Sequence, residues 1–199
     1  MIRYNEEENE EREERSPEGE ALFQRLLKTR TIILSGEINK TLAERTIRQL
    51  LLLEAEGEGP IKIFIDTPGG DVDAGYAIID MMRFIKPDVY TIGMGLVASA
   101  GALVLLGAQK ERRFGLPNSH YLIHQPLSGM RGVATEIEIH ARELEKVRDK
   151  INRFIAEETG KPLEQIEKDT DRDFWMDAEE AKNYGLIGQL IKSRVELPV

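Results

Sequence analysis

Three short runs rich in β-branched residues, Thr31 to Ser35, Ile61 to Asp66 and Val89 to Val97, are separated by two stretches with helical period. This alternation constrains the chain more than any other feature. The order strand–helix–strand–helix–strand predicts an α/β domain built on a largely parallel sheet. The first helical stretch starts after Asn39 and places Leu42, Ala43, Ile47, Leu50 and Leu51 on one face. Gly57, Gly59 and Pro60 stop it. Thr67-Pro68-Gly69-Gly70 reads as a turn, and Asp71 as the cap of the second helix. That helix's apolar face carries Ala74, Ile78, Met81, Met82 and Ile85, and Pro87 closes the unit.

Downstream, Ala100 to Ala108 reads as a helix of small residues, and Arg112 to Leu116 and Tyr121 to His124 as short strands. Gln125 to Val133 is a glycine-containing extended segment. A long helix follows, opened by a Thr135–Glu138 capping pair and carrying Ile137, Ala141, Leu144, Ile151 and Ile155. It ends at Gly160, before Pro162. Such an excursion from the core commonly packs against another subunit, so Ile137, Leu144 and Ile151 are expected to be exposed on an isolated chain. Leu163 to Asp169 and Ala178 to Tyr184 read as short helices, and Ile187 to Ile191 as a last strand. At the other end, Ala21 to Lys28 reads as a short helix. Residues 1–20 are dominated by Glu and read as an acidic, mobile arm. Residues 21–199 then form a single domain.

The balance of charges excludes several function classes. The chain has 199 residues and a formal charge of −9, and a pI near 5.0. Nucleic-acid binding needs clustered Lys and Arg, which are absent. With no cysteine there is no disulfide framework, thiolate metal site or cysteine nucleophile. No export signal opens the chain. The longest apolar stretch, Leu96 to Ala108, is broken by Ser99, Gly101 and Gly107 and falls short of the roughly 20 residues of a membrane helix. A cytoplasmic protein without membrane contact is expected.

The segment Gly95-Leu96-Val97-Ala98-Ser99-Ala100-Gly101-Ala102 passes from strand to helix within a few residues. A serine there sits at a helix N-terminus, where free backbone N–H groups favour negative charge. Small neighbours admit a substrate backbone, as a serine nucleophile with an oxyanion hole requires. Taken alone, Ser99 reads better as a helix cap, with the small residues serving helix packing. Three histidines could serve as its base. His140 sits among glutamates on the long helix and reads as solvated. His120 could play either part. His124 ends an apolar strand, where α/β folds keep their sites. Asp169, Asp171 and Asp173 crowd one loop, and the spacing leaves open which of them reaches an imidazole. The Gly69-Gly70 turn could cradle a phosphate, an oxyanion or a peptide strand, but it lacks the lysine and spacing of a P-loop and the G-x-G-x-x-G fingerprint. No cofactor or metal is called for.

Here the sequence resembles a known family. Phe64 to Gly70, Ala74-Gly75, Ile85 to Val89, Gly95 to Ala102, Arg113 to Ser119, Ile123 to Pro126, Thr135 to Ala141 and Gln165 to Asp173 are similar, in order, to the ClpP family of Clp protease proteolytic subunits. The likeness runs from about Ala21 to Ile191. It implies an α/β spiral related to crotonases, with a protruding strand-and-helix handle over Gln125 to Thr159. It implies Ser99 as nucleophile, His124 as base and Asp173 as the acid, with the N–H groups of Gly70 and Ala100 as oxyanion hole. It also implies two stacked heptameric rings of one chain, enclosing a chamber in which unfolded polypeptides are cut. Asp171 and Arg172 would make a ring-to-ring ion-pair site. A Clp-class AAA+ ATPase would dock on a pocket lined by Lys62, Phe64, Phe84, Ile92, Met94, Phe114, Leu116 and Ile191.

The sequence departs from the family pattern at several points. Thr67 stands where the family usually has Ser, and Ala100 where it has Met. Acidic residues replace an apolar N-terminal segment, and Glu6 to Glu14 would line an axial pore. Lys62 replaces an aromatic wall of the docking pocket, and its ammonium must snorkel to the rim. Two other readings compete. A divergent paralogue could act mainly as a structural or regulatory ring subunit, although the complete Ser–His–Asp set argues against an inactive one. A crotonase-type acyl-CoA enzyme would need a CoA site that the sequence does not display.

Overall fold

The computed structural model describes residues 17–198, with side chains from residue 21 onward. The sequence-predicted arm of residues 1–20 therefore lies mostly outside the described residues, as do Glu6 to Glu14. Helix α1, Pro17–Lys28, starts four residues before the expected Ala21, with proline in the first turn, where its missing N–H costs nothing.

The three leading runs form strands β1 (Thr31–Ser35), β2 (Ile61–Thr67) and β3 (Val89–Ala98). They pair in parallel, β1 with β2 and β2 with β3. Helix α2, Lys40–Glu56, is capped by Asn39, whose side chain accepts from the Leu42 N–H. Its buried stripe is Leu42, Ala43, Thr46, Gln49, Leu50 and Leu53. Leu51 is exposed and Ile47 only half-buried, so the stripe is rotated from the expected one. Apolar spacing alone overlooked Thr46, whose hydroxyl is satisfied by donating to Leu42 O. Helix α3, Val72–Phe84, is capped by Asp71 as expected, at 2.6 Å from the Ala74 N–H. Helix α4, Ala100–Leu106, is buried throughout.

Strands β4 (Arg113–Gly115) and β7 (Gln189–Leu190) extend the parallel order to β1-β2-β3-β4-β7. β5 (His120–Ile123) pairs in parallel with the far end of β3. β6 (Phe174–Met176), absent from the sequence reading, pairs antiparallel with β5. Three residues are too few for an alternating pattern to register. β7 is shorter than the expected Ile187 to Ile191.

Helix α5, Ala134–Thr159, is capped at Val133, two residues before the expected Thr135. Glu136, rather than Glu138, reaches back to the Val133 N–H at 3.3 Å. No residue of α5 is buried before Ile151; Ile151, Asn152, Ile155 and Thr159 are. Ile137 is exposed as expected, but Leu144 is half-buried, and Ile151 is 3% exposed and belongs to the core. Residues 125–133 form no strand within the chain, because no neighbouring strand offers them a ladder. Gly160 ends α5 in a left-handed conformation. Helices α6 (Leu163–Asp169) and α7 (Ala178–Tyr184) fall where expected. No helix among the described residues is long and apolar enough to cross a membrane.

Candidate active site

The site is built where β3 and α4 meet. β2 and β3 run in register as far as Ile65 opposite Gly93, and then Thr67 faces Val97. The extra residues of β3 bulge, and Asp66 Oδ1 holds the bulge by accepting the Leu96 N–H at 3.0 Å. Beyond it, Ser99 has φ 55° and ψ −121°. Among the described residues only Arg30 and Ser99 are non-glycine residues with positive φ. Strain of this kind persists only where surrounding structure enforces it, and it concentrates at functional positions.

Ser99 occupies the N-cap position of α4, yet its side chain makes no capping bond. Its Oγ lies 2.8 Å from His124 Nε2. His124 Nδ1 lies 3.0 Å from Asp173 Oδ1. The structure thus brings together three side chains drawn from the end of β3, the end of β5 and the loop between α6 and β6. Asp169 is engaged elsewhere, accepting from Tyr184 Oη and Gln165 Nε2, both at 2.7 Å. Burial, and then the bond and charge of Asp169, raise the Tyr184 pKa. His140 meets Ser128 Oγ at 2.7 Å, and His120 is exposed on β5.

The glycine turn lies directly against this junction. A Cβ at Gly69 would come within 2.7 Å of Ser99 Cβ and 3.0 Å of Ala100 N. Thr67 orients the turn: its Oγ1 accepts from the Gly69 N–H at 3.0 Å and donates to Gly36 O. Its extra methyl fits because residue 101 is glycine, where a Cβ would lie 2.3 Å from Thr67 Cγ2. Among the described residues, the N–H groups of Gly70 and Ala100 have no acceptor. An apolar hollow adjoins Ser99 and His124, lined by Val72, Ala100, Leu103, Ile123, Pro126, Ile151 and Ile155.

Gln125 was not singled out by the sequence. Its N–H donates to Thr170 O at 2.6 Å and its Nε2 to Asp171 O at 2.7 Å, tying the histidine's strand to the aspartate's loop. Asn152 adds a buried bond, accepting from Thr170 Oγ1 at 2.8 Å. Neither residue type announces such a role; only its position beside His124 could have drawn attention to Gln125. Asp171 and Arg172 are both exposed, with Arg172 Nη1 at 2.7 Å from Asp171 O, and Arg148 pairs with Asp171 Oδ1 at 3.5 Å.

Of the residues expected to line a docking pocket, Phe64, Ile92, Phe114, Leu116 and Ile191 converge in a second apolar cluster, joined by Tyr90 and Leu197. Phe84, 79% exposed at the end of α3, and Met94, half-buried, are not part of it. Lys62 covers its stem and brings its ammonium to solvent at the rim, as expected. It is 7% exposed, and its pKa is lowered by burial and by the charges of Arg194 and Arg30. On β2 it stands in register with Thr31 of β1 on one side and Tyr90 of β3 on the other.

Comparison with known proteins places the chain in a family. The family model described as Clp protease matches residues 12–194. The chain is 62% identical over 191 residues to the ATP-dependent Clp protease proteolytic subunit 2 of Treponema denticola, covering 96% of each chain. It is 47% identical over 193 residues to the ATP-dependent Clp protease proteolytic subunit 3 of Rhizobium etli, covering 97% of this chain and all of that one. A solved ClpP1 point mutant from Listeria monocytogenes superposes with a TM-score of 0.83 at 52% identity, over 88% of this chain and 99% of that one. With a family model matched over nearly all its length and relatives this similar end to end, the chain belongs to the Clp protease family.

Proposed function

We propose that Ser99, His124 and Asp173 are the catalytic residues of a Clp proteolytic subunit, a serine endopeptidase that cuts unfolded polypeptides. The observation that carries this reading is the relay from Ser99 Oγ to His124 Nε2 at 2.8 Å and from His124 Nδ1 to Asp173 at 3.0 Å. With Asp173 accepting at Nδ1, the imidazole presents Nε2 as acceptor to the serine hydroxyl. As Ser99 Oγ attacks a peptide carbonyl, His124 takes its proton and then passes it to the departing amine. Asp173 supports the imidazolium. The unpartnered N–H groups of Gly70 and Ala100 bind the tetrahedral oxyanion. Water then releases the acyl group, with His124 as base again.

Assembly completes this reading. Leu127, Met130, Val133, Ile137 and Ile139 are all exposed along the handle, an apolar surface of the kind that marks a partner site. A second copy fits it, in two stacked rings of seven, with Asp171 and Arg172 at the ring junction beside the active site. The relatives' names specify ATP-dependent proteolysis. A Clp-class AAA+ ATPase delivering substrate through loops seated in the second apolar cluster accords with those names, in a cytoplasmic setting.

The deciding experiment is fluorogenic-peptide hydrolysis by the purified protein and by Ser99→Ala, with native mass measurement of both. The variant should lose nearly all turnover and keep the assembly of the parent, because alanine fits the same small-residue junction. Wild-type turnover in Ser99→Ala would remove Ser99 as nucleophile.

A further inference from the structure

Past Ile191 the chain leaves the sheet. The Ile191 N–H donates to Gly115 O at 3.0 Å. Downstream, every hydrogen bond recorded for residues 192–198 closes within the segment. Glu196 N–H meets Ser193 O and Leu197 N–H meets Arg194 O, both at 3.2 Å. Lys192 N–H reaches Glu196 Oε2 at 3.3 Å, and Ser193 Oγ reaches Glu196 Oε1 at 2.9 Å. The result is a self-contained turn around a short 3-10 helix, Arg194–Glu196. Its neighbours face water, Val195 being 92% exposed. Leu197 alone is well buried, at 7%, in the cluster of Ile92, Phe114 and Ile191 with Phe64, Tyr90 and Leu116 packed around them.

A turn that carries its own hydrogen bonds loses none of them when it lifts away. Its hold on the body is the burial of one leucine, which favours the docked form about 10- to 100-fold. Charge acts against that hold. The docked turn brings Arg194 near enough to Lys62 for the two cations to repel. A competing segment with a leucine and no adjacent cation would avoid this repulsion.

We propose that the C-terminal turn is a tethered plug: Leu197 fills the apolar pocket from within the same chain and keeps external aliphatic side chains out until one displaces it. That the natural competitor is an ATPase loop rests on the docking proposed above. The plug itself does not.

The test uses a fluorescein-labelled peptide of residues 192–199, followed by anisotropy against three proteins: the full chain, a chain ended after Ile191, and the full chain with Leu197→Asp. The peptide should bind the two altered chains at least about tenfold more tightly than the full chain. A peptide carrying Leu197→Asp should bind none of them. Equal affinity for all three proteins, or no binding to either opened chain, overturns the proposal. If circular dichroism shows that both altered chains are misfolded, amide exchange on the unaltered protein decides. The Leu197 amide should then exchange at least about tenfold faster than that of Ile191, and equal protection of the two overturns the plug. No ATPase enters these measurements. A protein that captures its tail in trans but recruits no ATPase would refute the docking reading alone.

Discussion

Gly69 and Ser99 approach so closely that a Cβ on the glycine would lie 2.7 Å from that of the serine. The same added carbon would meet Ala98 O at 2.7 Å, and Gly69 has φ +94°. Gly69→Ala should therefore push the turn off the junction and displace the Gly70 N–H. Loss of one oxyanion donor predicts a fall in peptide hydrolysis on the order of 10²-fold or more. The strained backbone should also lower stability by about 1–3 kcal/mol. Gly36→Ala is the matched control, with φ +88° but nothing within 4 Å of the added carbon. It should share the strain and keep its turnover per folded molecule. Equal turnover losses in both variants would show that strain, rather than the contact with Ser99, matters.

The two engaged histidines should separate cleanly. His124 contacts both Ser99 and Asp173, so His124→Ala should reduce turnover on the order of 10³-fold or more, members of such a unit failing together. His140 bonds only to Ser128 near the start of the handle, and His140→Ala should change turnover less than about twofold. Comparable losses in the two variants would contradict this assignment.

Arg113 anchors the end of α5. Its side chain is 1% exposed, and it donates to Ala108 O at 2.7 Å, to Glu158 O at 2.9 Å and to the Glu158 carboxylate. Burial lowers the Arg113 pKa, and Glu158 opposes that shift. Glu158→Ala leaves a buried cation without its counter-charge and should cost about 3–5 kcal/mol in denaturant unfolding. Adding Arg113→Met should recover part of that loss. A double variant less stable than Glu158→Ala alone would show that the three bonds of Arg113 outweigh its desolvation.

Lys62 gives a pH-dependent prediction. Its folded pKa lies below 10.5, chiefly through burial and then through Arg194 and Arg30. The native state therefore carries a penalty that is full below the folded pKa and relieved as pH rises toward the unfolded value. Lys62→Met should be more stable than the parent at pH 7, and its advantage should shrink as pH approaches 10.5. Urea titrations at several pH values check this. An advantage that stays constant or grows with pH would show that the lysine is not held at a cost.

Sequence alone determined the β1–α2–β2–α3–β3 frame, because each of these segments carries its own period and its own stop: Asp71 as a cap, Gly57 and Pro87 as ends. Resemblance to a family named Ser99, His124 and Asp173, which lie 25 and 49 residues apart and which no local pattern joins. Tertiary structure decided what needs distant partners. It turned Ser99 from a capping residue into a strained one aimed at His124, and it sent Asp169 to Tyr184 rather than to an imidazole. It placed Gln125 across the gap between two loops, and it made β6 a strand only because β5 offers it a ladder. It also buried Lys62 and seated Leu197 in the second apolar cluster. Polarity and period describe a residue's own segment, whereas burial and hydrogen-bond partners depend on which other segments the fold brings beside it.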